Sequence, residues 1–168
     1  MSISTNLYLR STLAIMGGMK IRQANIEDLR TLYEFEQGII SAERPFDSTL
    51  DKDPISYYDL KELVLSSDAE VVVAILDNVI IASAYAQIKA AKDYLDHARY
   101  AHLGFMFVRP EQRGKGVNGE IIVALEEWIR SKGVREIRLQ VYAENDAALS
   151  AYNKKGFKAH MLTMRKRI

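Results

Sequence analysis

Three glycines and three cations are concentrated in the stretch Val108-Arg-Pro-Glu-Gln-Arg113-Gly-Lys-Gly116-Val-Asn-Gly119. An apolar, strand-like run ends there, Pro110 turns the chain, and a basic glycine turn leads into an apolar-striped segment. Such a turn lets several backbone amides point at one anion while the helix that follows adds the positive end of its dipole. Glycine serves this arrangement because it permits close backbone approach and unusual torsions. The order of residues is not that of a P-loop, since Lys115 precedes Gly116 and Val117 follows it. Gly114, Gly116 and Gly119 do have dinucleotide-loop spacing. They follow three or four strands instead of the first, however, and no acid closes the next strand, Ile137 to Val141, before Glu144.

The elements that must position this turn follow from periodicity. Met19 to Ala24 reads as a strand, with Asn25 capping a helix whose Leu29, Leu32, Tyr33 and Phe35 share a face. Gly38 to Asp53 reads as an irregular connection, and Pro54 opens a second helix running to about Leu65. Glu70 to Leu76 and Val79 to Ala90 flank Asp77-Asn78 as an antiparallel hairpin. Arg99 to Val108 is a strand, and the segment from Val117 forms a helix that Gly133 ends. Val134 to Val141 is a strand, Asn145 to Lys155 a helix, and Phe157 to Met164 a last strand. The class is α/β, with a parallel, right-handed crossover after the glycine turn.

The chain has 168 residues, no Cys, 48% hydrophobic and 27% charged residues, and a net charge of +1. One domain over residues 19–168 is the expectation, with residues 1–18 as a leader or flexible extension. A thiol nucleophile and a cystine scaffold are excluded. No apolar run approaches the roughly 20 residues of a spanning helix, so no membrane partner is expected and the localisation is read as cytoplasmic. The charge divides along the chain: residues 1–108 carry 10 Lys/Arg and 15 Asp/Glu, net −5, whereas residues 109–168 carry 13 and 7, net +6. The split suits an anionic ligand in the second part and a cation at an opening formed by the first, and an uneven scatter of solvated charges would read the same way.

The turn Arg113-Gly114-Lys115-Gly116-Val117 resembles the pyrophosphate signature of the Gcn5-related N-acetyltransferase (GNAT) superfamily, Arg/Gln-x-x-Gly-x-Gly/Ala, with Asn118 at the final small position and Gly119 one residue later. Asn145-Asp-Ala147-Ala148-Leu149-Ser-Ala151-Tyr152-Asn-Lys-Lys-Gly156-Phe157 resembles the second cofactor-side motif of that family. The resemblance spans about residues 19–164. It implies a mixed, splayed central sheet of six or seven strands flanked by about four helices, with acetyl-coenzyme A entering the gap between two parallel strands. Phe107 and Val108 would then offer backbone groups to the pantetheine arm. Arg113, Gly114, Lys115, Gly116, Val117, Asn118 and Gly119 would hold the pyrophosphate, and Asn145 and Tyr152 would stand on the far wall.

The implied chemistry is direct acetyl transfer to a primary amine of a small metabolite or peptide, with a catalytically silent acyl-coenzyme-A-binding module as the alternative. By resemblance, Tyr152 is the general acid. The base is left among His102, Glu36 and a water relay, with Tyr85 and Gln87 as further lining of the acceptor slot. His97, His102 and His160 have no ligand spacing, so no metal is expected. Nor is nucleic acid, because the cationic end Met164 to Ile168 reads as a solvated terminus. Homodimerisation is left open.

Overall fold

The computed structural model describes residues 18–168 and, of residues 13–15, the backbone. Six strands lie in the order of the chain: β1 (Leu13–Ile15), β2 (Met19–Gln23), β3 (Ala69–Leu76), β4 (Val79–Ala90), β5 (Arg99–Val108) and β6 (Ile137–Arg138). The first five pair antiparallel and β6 joins β5 in parallel, so the sheet is mixed. The helices are α1 (Leu29–Glu43), α2 (Leu60–Leu65), α3 (Val117–Ser131) and α4 (Asp146–Lys154). The rest of the expected leader lies outside the described residues; Leu13–Ile15 extend the sheet by pairing with Met19–Ile21.

Helices cover both faces of the sheet. On one, Val117, Ile121, Leu125 and Trp128 of α3 pack over Ile21, Val72, Ala82, Ala84 and Leu103. On the other, Leu32, Phe35 and Ile39 of α1 and Leu60 and Leu63 of α2 pack over Val71, Val73, Tyr85 and Phe105. Alternation along a strand puts successive side chains on opposite faces, so Leu103 and Phe105 should share one. They do not, because β5 carries one extra residue opposite β4. Tyr85 pairs with Gly104 and Ser83 with Phe107, and Phe105 takes a left-handed φ of 56°. This bulge turns Phe105 and Phe107 toward α1.

Several elements differ from their sequence reading. Gly38 does not end the first helix, because Ile39 and Ile40 continue the buried stripe of Leu32, Phe35 and Glu36 and carry α1 on to Glu43. The glycine is explained by what it faces, since a Cβ there would stand 2.5 Å from Cε2 of Phe107. The second helix is shorter than expected. Residues 54–59 are non-helical, the Tyr57 and Tyr58 amides donate to Glu36 Oε1, and Asp59 caps α2 through the Glu62 amide. The strand expected over Val134–Val141 pairs only at Ile137–Arg138, and Phe157–Met164 forms no ladder among the described residues. The Asp77-Asn78 turn is as expected, with φ of 48° and 62° joining β3 to β4.

Candidate active site

The glycine turn begins where β5 stops. Arg109 holds that end in place, its amide donating to Ile81 O at 2.8 Å and its Nε to Ile80 O at 2.9 Å. A short 3-10 turn over Pro110–Gln112 follows, then Gly114 and Gly116 at φ 74° and 82°. No side chain caps α3, and Glu120 N closes its first helical bond onto Gly116 O at 3.2 Å. The amides of the first turn are therefore without helical acceptors at the positive end of the helix dipole.

Cations gather at this end. Arg113 folds back to donate Nε to Val108 O at 3.1 Å, and Lys115 Nζ donates to Gln112 Oε1 at 3.1 Å. Lys155, just past α4, lays its side chain across the first turn of α3, where a Cβ on Gly119 would stand 2.4 Å from its Cε and 2.7 Å from its Nζ. An ammonium beside the positive end of a helix is electrostatically adverse unless an anion is placed between them. Val117 is buried in the core, whereas Asn118 is half-buried in the first turn. Lys155 escaped sequence reasoning; the displaced glycine at 119 was its only sign.

Beside this turn the sheet opens. Among the described residues β6 pairs with β5 only through Ala101–Ile137 and His102–Arg138, so the edge of β5 facing away from β4 carries no strand ladder from Leu103 to Val108. Phe107 is held from the α1 side by Gly38 and by the Phe35 ring at 4.5 Å. Asn145 Oδ1 caps α4 by accepting from Ala148 N at 3.1 Å. Tyr152 projects from α4 and packs edge-on against Phe157 at 5.9 Å. Burial pushes its hydroxyl up to about 12, with the charge of Glu43 adding to the effect. This phenol keeps its proton at neutral pH.

The acidic candidates separate into different environments. Glu36 is 1% exposed, and its Oε1 accepts from Ser56 Oγ at 3.0 Å, Tyr57 N at 2.7 Å and Tyr58 N at 2.8 Å. That carboxylate fastens α1 to the segment before α2. Glu43, two turns later, stands among phenols: its charge acts on Tyr57, Tyr142 and Tyr152. Burial raises the Glu43 carboxyl above its ordinary range, partly opposed by the Tyr57 hydroxyl. That hydroxyl is sealed from solvent and makes no well-formed hydrogen bond.

His102 is half-buried near Tyr85, ring centroids 6.3 Å apart. Burial, and secondarily the Lys89 charge, lowers its pKa from the ordinary imidazole value and so favours the neutral ring. Tyr85 is buried under Tyr58, and Gln87 is half-buried farther along β4. His97 belongs to a separate surface group with Asp96 and Glu136, and His160 is exposed in the segment after α4. Among the described residues no three His, Asp or Glu side chains are placed to hold a metal, and no helix is long and apolar enough to cross a membrane.

The family model described as "Acetyltransferase (GNAT) family" matches residues 27–157. Among curated proteins, the chain is 29% identical over 151 residues to a spermidine N(1)-acetyltransferase of Thermoplasma acidophilum, an alignment covering 83% of this chain and 88% of that protein. It is 43% identical over 58 residues to the uncharacterized N-acetyltransferase YobR of Bacillus subtilis, covering 34% of this chain and about a quarter (24%) of that protein's length. Among solved structures, AAC(6')-Iy in complex with the bisubstrate analogue CoA-S-monomethyl-acetylneamine superposes with a TM-score of 0.68 at 26% identity, covering 90% of this chain and all (100%) of that one.

Proposed function

Because the chain belongs to the GNAT acetyltransferase family, we propose that it transfers acetyl from acetyl-coenzyme A directly to a primary amine of a small cationic metabolite or peptide. The observation that carries this reading is the uncapped, glycine-led start of α3 beside the open edge of β5. Free amides, a helix dipole and the cations Arg113, Lys115 and Lys155 fit a diphosphate. An unladdered strand edge at Phe107 and Val108 fits an amide-bearing arm.

Acetyl-coenzyme A supplies, when bound, an activated acyl thioester. The amides of Gly114 to Gly119 would hold its diphosphate, and Lys155, just past α4 and lying against Gly119, would face the same anion. Gly38 and Phe35 fix Phe107 and thus the strand that aligns the arm. Tyr152 would supply the proton that the departing sulfur needs, its phenol being protonated at neutral pH as any ordinary tyrosine is, and more firmly so for its burial. His102, whose lowered pKa favours the neutral imidazole, would take a proton from the attacking amine. Glu36 holds residues 56–58 against α1 through its Oε1, which accepts from three donors. Asn145 serves at least as the cap that starts α4.

The test combines two measurements. Calorimetric titration should show acetyl-coenzyme A binding far more tightly than an analogue lacking the nucleotide diphosphate. Coenzyme A release should then accompany turnover of a panel of polyamines, amino acids, aminoglycosides and short peptides. Tight binding without turnover of any amine would leave a silent acyl-coenzyme-A-binding module in place of the enzyme.

A further inference from the structure

Apart from the Asp77-Asn78 turn, Phe105 is the only non-glycine residue with a left-handed φ among the described residues. A bulky side chain keeps such a torsion only where its surroundings hold it there, and backbone of this kind gathers at functional sites. The bulge also marks where the sheet opens, because the β5–β6 ladder ends at His102, just before it.

Side chains hold the Phe105 backbone where the ladder does not. Its carbonyl accepts from the buried Ser83 hydroxyl at 3.4 Å. Burial, and next the Tyr85 phenol, push the Tyr58 hydroxyl up, and a hydrogen bond from the Phe105 backbone opposes that rise, which identifies the Phe105 amide as its donor. The Tyr58 ring stands edge-on to the Phe105 ring at 5.6 Å and to the Tyr85 ring at the same 5.6 Å. Tyr58 therefore braces the bulge through both its ring and its hydroxyl.

Glu36 seats Tyr58. The segment before α2 forms no helix, so its amides need acceptors from elsewhere. Glu36 Oε1 takes the Tyr58 amide at 2.8 Å and the Tyr57 amide at 2.7 Å, on a carboxylate that is itself buried. Farther along β5, Phe35 and Gly38 of the same helix stand against Phe107. Phe107 pairs with Ser83 and the Arg109 amide donates to Ile81 O, so alternation turns the backbone groups of Val108 to the open edge. There the Val108 carbonyl is within reach of Arg113 Nε, at 3.1 Å.

We propose that Glu36 is a positioning residue for the cofactor arm: through Tyr58 it holds the Phe105 bulge, and with it the run from Met106 to Val108 along the open edge. This rests on the acyltransfer reading for the identity of the arm, whereas the hold on the bulge is a property of the free protein. The role asks for an acceptor oxygen at this position and not for a titrating acid, so glutamine should serve where alanine does not.

Amide hydrogen exchange in the ligand-free full chain, and calorimetry with two probes, test it. Coenzyme A carries the arm; its phosphoadenosine diphosphate fragment keeps the nucleotide and diphosphate and lacks it. Tyr58→Phe, which keeps the ring and removes the hydroxyl, should speed exchange of the Phe105 amide by about two- to tenfold, as for the loss of one neutral hydrogen bond. It should weaken coenzyme A within the same range and leave the fragment unchanged. Glu36→Ala should do both more strongly, and Glu36→Gln should stay near wild type; if the alanine variant fails to fold, the other two decide. Unchanged Phe105 exchange in Tyr58→Phe, a loss shared equally by coenzyme A and the fragment, or a Glu36→Gln protein as weak as Tyr58→Phe would overturn the inference. A wild-type chain that binds neither probe would instead sink the acyltransfer reading, and the exchange pattern would still decide whether Glu36 holds the bulge.

Discussion

Gly104 lies directly across the β4–β5 ladder from Tyr85, and a Cβ on Gly104 would stand 2.7 Å from the Tyr85 hydroxyl oxygen and ring carbon Cζ. The phenol occupies the space that any other residue would fill, one position before the bulge that reorients Phe105. Gly104→Ala should therefore push Tyr85 into Tyr58 and cost about 1–3 kcal/mol by overpacking. Chemical denaturation would read this loss, and adding Tyr85→Leu should return part of it.

Tyr152→Phe keeps the ring contact with Phe157 and removes the hydroxyl. Single-turnover rates should fall by about 10- to 10,000-fold if this is the unique acid, with coenzyme A affinity little changed. A rate near wild type would transfer proton donation to solvent.

Gly119→Ala should raise intrinsic helix propensity, by up to about 1 kcal/mol, and yet weaken coenzyme A binding, because the new methyl displaces Lys155. Lys155→Ala should weaken binding by about 1–3 kcal/mol, as for a charge-assisted contact. The double variant should lose little more than either alone. Additive losses, measured by calorimetry, would separate the two residues.

If His102 is the base, His102→Gln should remove an acid limb from the kcat/KM profile. Its folded pKa is lowered, so that limb lies below about pH 6.5 and the rate rises as pH climbs through it. A limb retained in the variant would assign it to another group, such as the half-buried Glu43 carboxyl.

Asp28 links β2 to α1, its carboxylate accepting from Arg22 at 2.6 and 2.8 Å and from Asn25 N at 2.8 Å. The Arg22 hydrogen bonds hold its pKa below the ordinary carboxylate value. Its stabilisation is thus present above about pH 3.9 and is lost as pH falls through the depressed folded value. Asp28→Asn should lower stability at pH 7 by about 1–3 kcal/mol, with the gap to wild type narrowing in acid. Thermal melts across that range would show the convergence.

Local patterns in the chain determined the elements whose causes are local. The Asp77-Asn78 hairpin, the Asn25 cap, the glycine start of α3 and the Asn145 cap of α4 depend on neighbours within a few residues, and each is legible from residue type alone. Two separated motifs likewise marked the family and where its phosphate turn should lie. Tertiary structure decided what depends on contacts distant in sequence. Gly38 reads as a helix stop until Phe107 is seen filling its space, and Glu36 reads as a free acid until residues 56–58 are seen bonded to it. Lys155 at Gly119 and Arg165 at Asp47 bring together residues 36 and 118 positions apart. No periodicity records such pairs, because only packing of the folded chain fixes which side chains meet.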